Sequence, residues 1–215
     1  MKILVINSGS SSIKYKLFQM DGGHPLCSGI VERIGSQRSD LIHHKADGET
    51  IKLRFQAPDH EHAISHIFKV LTDPGYGAIR SHQEIAGIGH RVVNGEELFT
   101  EPTVIDDSVI AAIKKFSKLA PLHNPPALFG ITACSKFAKG IVQVAVFDTA
   151  FHQTMPPYAY MYAVPYKFYE RYALRRYGFH GTSHYYVAEE AARLLKRPLK
   201  CLKLITCHLG NGCSM

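Results

Sequence analysis

Residues 3–19 read ILVINSGSSSIKYKLFQ. The apolar run Ile3–Ile6 gives way to six small polar residues, Asn7–Ser12, and then to Ile13–Gln19, where apolar and basic side chains alternate. A period of two predicts a strand on each side of the polar stretch. A plain hairpin needs only a two-residue turn of the Asn-Gly kind. The longer connection predicts a loop that holds something. Small residues let backbone N–H groups approach an anion, and hydroxyls add donors, so Ser10 and Ser12, with the charge of Lys14 beyond them, could wrap a phosphate. An ordinary serine-rich hairpin is the alternative. The Walker pattern, G-x-x-x-x-G-K-[ST], is absent.

Outward from this stretch, Pro25–Val31 reads as a third strand and residues 35–58 as further strand edges and loops. Asp59 is placed to cap a helix whose apolar face is Ile64, Ile67, Phe68 and Leu71, with Pro74 beyond its end. Ile85–Ile88 predicts a buried strand. A second amphipathic helix begins at Asp106 or Asp107, and a third spans about Ala127–Phe137. IVQVAVF, Ile141–Phe147, is the clearest buried strand, and it ends at Asp148. A proline- and tyrosine-rich stretch follows from Met155 to Tyr177, then a helix from about His184 to Leu195 and a strand near Leu204–Cys207. Antiparallel strands first, then strands alternating with helices, predict an α/β architecture. The sequence stops in a glycine-rich turn, NGCSM, that caps nothing, so the chain is expected to be cut short.

At 215 residues the chain can form one large domain or two small ones. Its apolar and charged fractions, 46% and 20%, are those of a globular protein, and no apolar run approaches the roughly 18 residues of a membrane span. The five cysteines are odd in number and lack C-x-x-C pairing, which suits a reducing cytoplasm and argues against a disulfide framework. The net charge of +7 is scattered rather than clustered, so anionic small substrates fit better than nucleic acid.

Several residues beyond the serine loop could carry chemistry. Arg91 follows a buried strand, where a guanidinium can grip a carboxylate or phosphate with two parallel hydrogen bonds; a surface salt bridge is its commoner fate. Asp148, at the end of the most apolar strand, sits where ligands gather in open α/β sheets and could hold Mg²⁺, or could cap the next helix. His180 in GFHGTSH and His208 in HLGNG each join a glycine loop to a regular element. His60, His62 and His66 invite a zinc reading, but H-E-x-x-H is absent and a solvated helix face is expected instead.

The segments INSGSSSIKY, GHRVVNGEELFT, LAPLHNPP, VFDTAFHQTMPPYAY, YGFHGTSH and ITCHLGNG occur in this order, and the chain resembles the acetate kinase family from Met1 to Met215. The resemblance covers about the first half of such an enzyme. It implies an actin-like, ribonuclease-H-like mixed sheet with flanking helices: a first domain at 1–149 and the beginning of a second at 150–215. It implies reversible Mg²⁺-dependent phosphoryl transfer between ATP and acetate, giving ADP and acetyl phosphate, in a cytoplasmic homodimer with no membrane or nucleic-acid partner. By the same resemblance Asn7 helps bind Mg²⁺, and Ser10, Ser12 and Lys14 lie at the nucleotide phosphates. Arg91 contacts the substrate carboxylate, Asp148 is the active-site acid or base, and His180 stabilises the transferring group. Val93, Leu122 and Phe179 match the pocket for the acetate methyl. His208, Leu209, Gly210, Asn211 and Gly212 belong to the ATP site. The family usually reads His-Gly-Gly where this chain has Asn94-Gly95-Glu96, which adds a negative charge near Arg91. Its second catalytic arginine, adenosine loops and late Mg²⁺ glutamate have no counterpart here. Propionate or butyrate kinase, a non-catalytic partial domain and an actin- or chaperone-like nucleotide switch are the alternatives.

Overall fold

The computed structural model describes residues 1–210 and 212–215. The chain forms two compact units, Met1–Val92 with Thr103–Ala145, and Val93–Pro102 with Val146–Met215.

The first unit opens with β1 (Lys2–Ser8) and β2 (Ser12–Gln19), the two strands that the opening alternation requires. They pair antiparallel in a register that sets Asn7 opposite Lys14 and Ser8 opposite Ile13. The pleat turns Ile13, Tyr15 and Leu17 inward while Lys14 and Lys16 stay exposed. β3 (His24–Glu32), β4 (Ser39–Lys45) and β5 (Thr50–Phe55) continue the antiparallel meander.

Helix α1 (His60–Leu71) starts at Asp59, whose carboxylate accepts the His62 N–H as expected of the cap. The chain then returns through β6 (Ile85–Val92), parallel to β1, followed by β7 (Thr103–Val104), α2 (Asp107–Phe116), α3 (Asn124–Phe137) and β8 (Val142–Phe147). The eight strands form one sheet in the order β5-β4-β3-β2-β1-β6-β8-β7. Four antiparallel pairings from β5 to β1, beside the parallel return of β6, make this the mixed actin-like α/β sheet. Its core joins Leu4, Ile6, Ile13 and Leu17 of the sheet to Ile64, Ile67, Phe68 and Leu71 of α1 and to Ala133 and Cys134 of α3. Each such buried Leu or Ile stabilises the fold by roughly 1.5–3 kcal/mol relative to an exposed one.

The second unit takes the last two residues of β8 and continues through a 3-10 turn, Ala150–Thr154, and two short helices, α4 (Pro157–Tyr160) and α5 (Lys167–Tyr172). These short pieces occupy the proline- and tyrosine-rich stretch. Helix α6 (Gly181–Leu195) starts three residues before the expected His184. The strand expected near Leu204–Cys207 is not formed: Leu204 and Ile205 are exposed, and no described residue pairs with the segment. An apolar run becomes a strand only where a neighbour completes its ladder. The pairing comes one step later, between β9 (His208–Leu209) and β10 (Cys213–Ser214).

Candidate active site

In the first unit the candidate residues converge on one end of the sheet. β1 and β6 run parallel, with Ile6 beside His90, so Asn7 and Arg91 follow at the carboxyl ends of neighbouring strands. Lys14 faces Asn7 across the β1–β2 ladder. The pleat gives these three positions a common face, and strand carboxyl ends are where open α/β sheets bind ligands.

The serine loop between β1 and β2 is held tightly through its backbone. Gly9 N–H donates to the Ser12 carbonyl at 2.7 Å, and Ile34 N–H donates to the Ser11 carbonyl at 3.0 Å. His60 Nε2 lies 2.7 Å from the Gly9 carbonyl, and since that oxygen can only accept, the ring nitrogen donates. His60 is therefore buried against the loop and not part of a solvated helix face, a correction to the sequence reading. His62 does stay on the outer side of α1, bonded to Asp59, whereas His66, bonded to the His62 carbonyl, is half-buried with its ring stacked on Phe55 at a centroid distance of 4.0 Å. Gly130 of α3 brings that helix against the loop, for a Cβ there would overlap the Ser8 hydroxyl. Ser10, His60, Phe129 and Thr132 line a groove of about 580 Å³. Leu122 stands apart in the loop before α3, 71% exposed.

In the second unit Asp148 is fully buried and α6 is docked onto it. Thr182 Oγ1 donates to Asp148 Oδ1 at 3.0 Å, and Gly181 N–H donates to the Asp148 carbonyl at 3.1 Å. Only glycine fits at 181, because a Cβ would run into that carbonyl. Asp148 thus lies at the N-terminus of a 15-residue helix, where the backbone dipole favours negative charge.

His180 precedes α6 with φ 54°, in the left-handed region that non-glycine residues rarely occupy. Its ring stacks on His208 with centroids 4.0 Å apart and planes at 15°. His180 Nδ1 hydrogen-bonds Ser214 Oγ at 2.8 Å, and His208 Nδ1 bonds Ser183 Oγ at 3.0 Å. His184 closes the network through Thr206 Oγ1 at 2.7 Å and Ser214 Oγ at 3.1 Å. Burial, then the neighbouring His152 and His208, hold the His184 ring below the usual imidazole range.

Ser214, Thr206 and His184 escape the sequence reading, although GFHGTSH already places His184 one turn from His180. Their partners lie more than twenty residues away, beyond any local pattern. Leu209, Gly210 and Gly212 sit in the β9–β10 hairpin, closed by Gly210 N–H on the Gly212 carbonyl at 2.8 Å; Asn211 lies outside the described residues. Phe179 is 45% exposed, and its carbonyl accepts a bond from His152 Nε2.

Val93 begins a turn in which the Asn94 side chain accepts the Glu96 N–H at 2.7 Å and Gly95 N–H reaches Thr149 Oγ1 at 3.0 Å. Glu96 sits at φ 49°, where the resembling family's glycine would be unstrained. The next residue, Glu97, pairs with Arg175, whose guanidinium is sandwiched over Tyr160.

The Asn7 amide oxygen, which the resemblance assigns to Mg²⁺, is a hard donor of the kind that fits this ion, and the Asp148 carboxylate is a hard donor too. The remaining chemistry is that of an anion site: backbone N–H groups, hydroxyls, a lysine and an arginine at strand ends.

A family model described as the acetokinase family matches residues 2–215. The acetate kinase of Desulfitobacterium hafniense is 55% identical over 215 residues, which is all of this chain and 54% of the relative. That of Halothermothrix orenii is 56% identical over the same span. Among solved structures, Porphyromonas gingivalis acetate kinase superposes with a TM-score of 0.93 at 46% identity, covering 99% of this chain and 53% of that one. A propionate kinase from Francisella tularensis gives 0.88 at 38% identity, again over 99% of this chain and 53% of its own. The chain spans about half the length of the relatives it matches.

Proposed function

The chain belongs to the acetokinase family, and from that premise we propose that the intact protein transfers the γ-phosphoryl group of ATP to acetate, reversibly, giving acetyl phosphate and ADP. The observation that supports this most is that the family match spans residues 2–215 and so takes in every candidate segment, from Asn7 to Gly212. The same proposal includes a first domain at 1–149 and the start of a second at 150–215, a homodimeric intact protein and a cytoplasmic location.

The roles follow from charge. Acetate is already an anion at neutral pH, since carboxylic acids titrate near about 4, so no base is needed to create the nucleophile. The barrier is the approach of one anion to another. Arg91 grips the acetate carboxylate; the family resemblance assigns Val93, Leu122 and Phe179 to its methyl group, although Leu122 is 71% exposed in this chain. Ser10, Ser12 and Lys14 hold the nucleotide phosphates, and His208 to Gly212 continue the ATP site. His180, its ring set by Ser214 and by the stack on His208, donates to the phosphoryl oxygens as charge develops. Asn7 would hold Mg²⁺, which when bound supplies charge neutralisation at the phosphates. Asp148, locked by Thr182, positions metal or water rather than removing a proton.

The propionate kinase among the structural relatives supports a second reading of the acceptor. One methylene is worth only roughly 1–3 kcal/mol in an apolar pocket. The test is ADP release by the intact protein with MgATP, titrated separately with acetate and propionate. Stimulation by acetate at the higher kcat/KM supports the proposal, and a higher value for propionate moves the assignment. Hydrolysis that neither acid stimulates would leave a nucleotide switch instead.

A further inference from the structure

We propose that His60 is a positioning residue for the serine loop, and that its hydrogen bond to the Gly9 carbonyl aims the loop's amides at the nucleotide phosphates. The inference rests on the reading of Ser10 and Ser12 as phosphate ligands.

A phosphate cradle must present N–H groups and hide carbonyls, because a carbonyl oxygen facing a phosphate oxygen repels it. The peptide unit is planar and trans, so the Gly9 carbonyl and the Ser10 N–H point in opposite directions. Drawing the Gly9 oxygen 2.7 Å from His60 Nε2 therefore turns the Ser10 N–H the other way. The Ser11 and Ser12 carbonyls are likewise held, by Ile34 N–H at 3.0 Å and Gly9 N–H at 2.7 Å. Ser10 and Ser11 N–H have no backbone partner among the described residues. Of these three tethers only that of His60 comes from a side chain, so it alone can be removed by substitution.

The imidazole is well placed for the task. It is 8% exposed, begins α1 beside the Asp59 cap, and packs against Phe129 of α3 with ring centroids 5.7 Å apart. Gly130, next to Phe129, admits the Ser8 hydroxyl at the other side of the loop. Helices α1 and α3 thus form a seat, with His60 as its polar contact.

The experiment uses the intact protein and three variants. His60→Phe and His60→Leu keep an apolar side chain against Phe129 but donate nothing, whereas His60→Gln offers an amide N–H near the position of Nε2. The expected result is a rise of about tenfold in the KM for MgATP in the Phe and Leu variants. Acetate KM should stay within about twofold, and Gln should return MgATP KM to within about threefold of the parent. A purely structural role would lower the melting temperature without this split between substrates. Unchanged MgATP KM in folded Phe or Leu variants overturns the proposal. If neither folds, the Gln variant decides: a tenfold rise in its MgATP KM overturns the proposal, and parental behaviour supports it. Calorimetric titration of the parent with MgADP separates the two levels. No binding there refutes the phosphate reading and the His60 role together, whereas binding with unaffected variants refutes the His60 role alone.

Discussion

Arg91 and His90 are neighbours on β6, yet the pleat gives them opposite environments and opposite uses. Arg91 shares a face with Asn7 and Lys14 at the sheet end. In the intact protein Arg91→Ala should keep the fold and lower kcat/KM for acetate by about 10²–10³, equivalent to roughly 2.7–4 kcal/mol; a near-normal value would exclude the assigned role. His90 is sealed in, hydrogen-bonded to Gln143 Oε1 at 2.7 Å, and burial pushes its pKa from 6.5 down to about 4. The folded state therefore resists protonating it while the unfolded chain does not. Its stabilisation is complete above pH 6.5 and is lost as the pH falls toward about 4. His43 and His184, also lowered by burial, act in the same direction. Urea titrations of this chain should show a midpoint that drops between pH 6.5 and 4.5, with a shallower drop in His90→Gln. An identical slope in the variant would remove His90 as the cause.

At this scale the sequence was a good guide to whatever alternation and position decide. The alternation in IKYKLFQ sets Lys14 on the outer face, and the apolar run before it sets Asp148 directly after β8. His60 was legible and overlooked. It stands four residues before Ile64, on the same stripe as Ile67, Phe68 and Leu71, so its spacing already marked it as inward. Grouping it with His62 and His66 concealed that.

Among the elements, α6 most directly links local sequence to the site. Its first residue has to be glycine because the Asp148 carbonyl occupies the space of a Cβ. Gly181→Ala should destabilise the second unit by roughly 1–3 kcal/mol, the usual cost of overpacking. It should also cut turnover of the intact protein by moving Asp148 and His180 apart from their settings; wild-type melting and turnover would show that the docking is not tight. Helix α1 was readable down to its cap, Asp59, since capping and the i, i+3, i+4, i+7 stripe are local signals. Strand β9 was not, because pairing between residues 208–209 and 213–214 depends on a partner that no hydrophobic run announces. The apolar residues 204–205 drew the expectation four residues too early.

Over the whole molecule, the antiparallel meander followed by the parallel return of β6 could be inferred as an α/β class, but strand order could not. Which strand lies beside β1 is settled by the burial of α1 and α3 against one face, a long-range outcome. Without the adenosine loops and second arginine that the resemblance places later in such enzymes, ATP would not be held in line with acetate. Orientation of reactants contributes roughly 7–11 kcal/mol to such reactions. The 215-residue chain alone should therefore make no acetyl phosphate above background, and turnover within tenfold of the intact protein would refute this. Light scattering should likewise find a dimer for the intact protein but not for this chain.

The central claim is that the intact protein moves a phosphoryl group from ATP onto acetate. Phosphorus NMR of that protein with MgATP and acetate follows donor and product together. The account predicts an acetyl phosphate resonance that grows as the γ-phosphate of ATP declines, and no change when acetate is omitted. Loss of the γ-phosphate to inorganic phosphate alone, at the same rate with or without acetate, would contradict it.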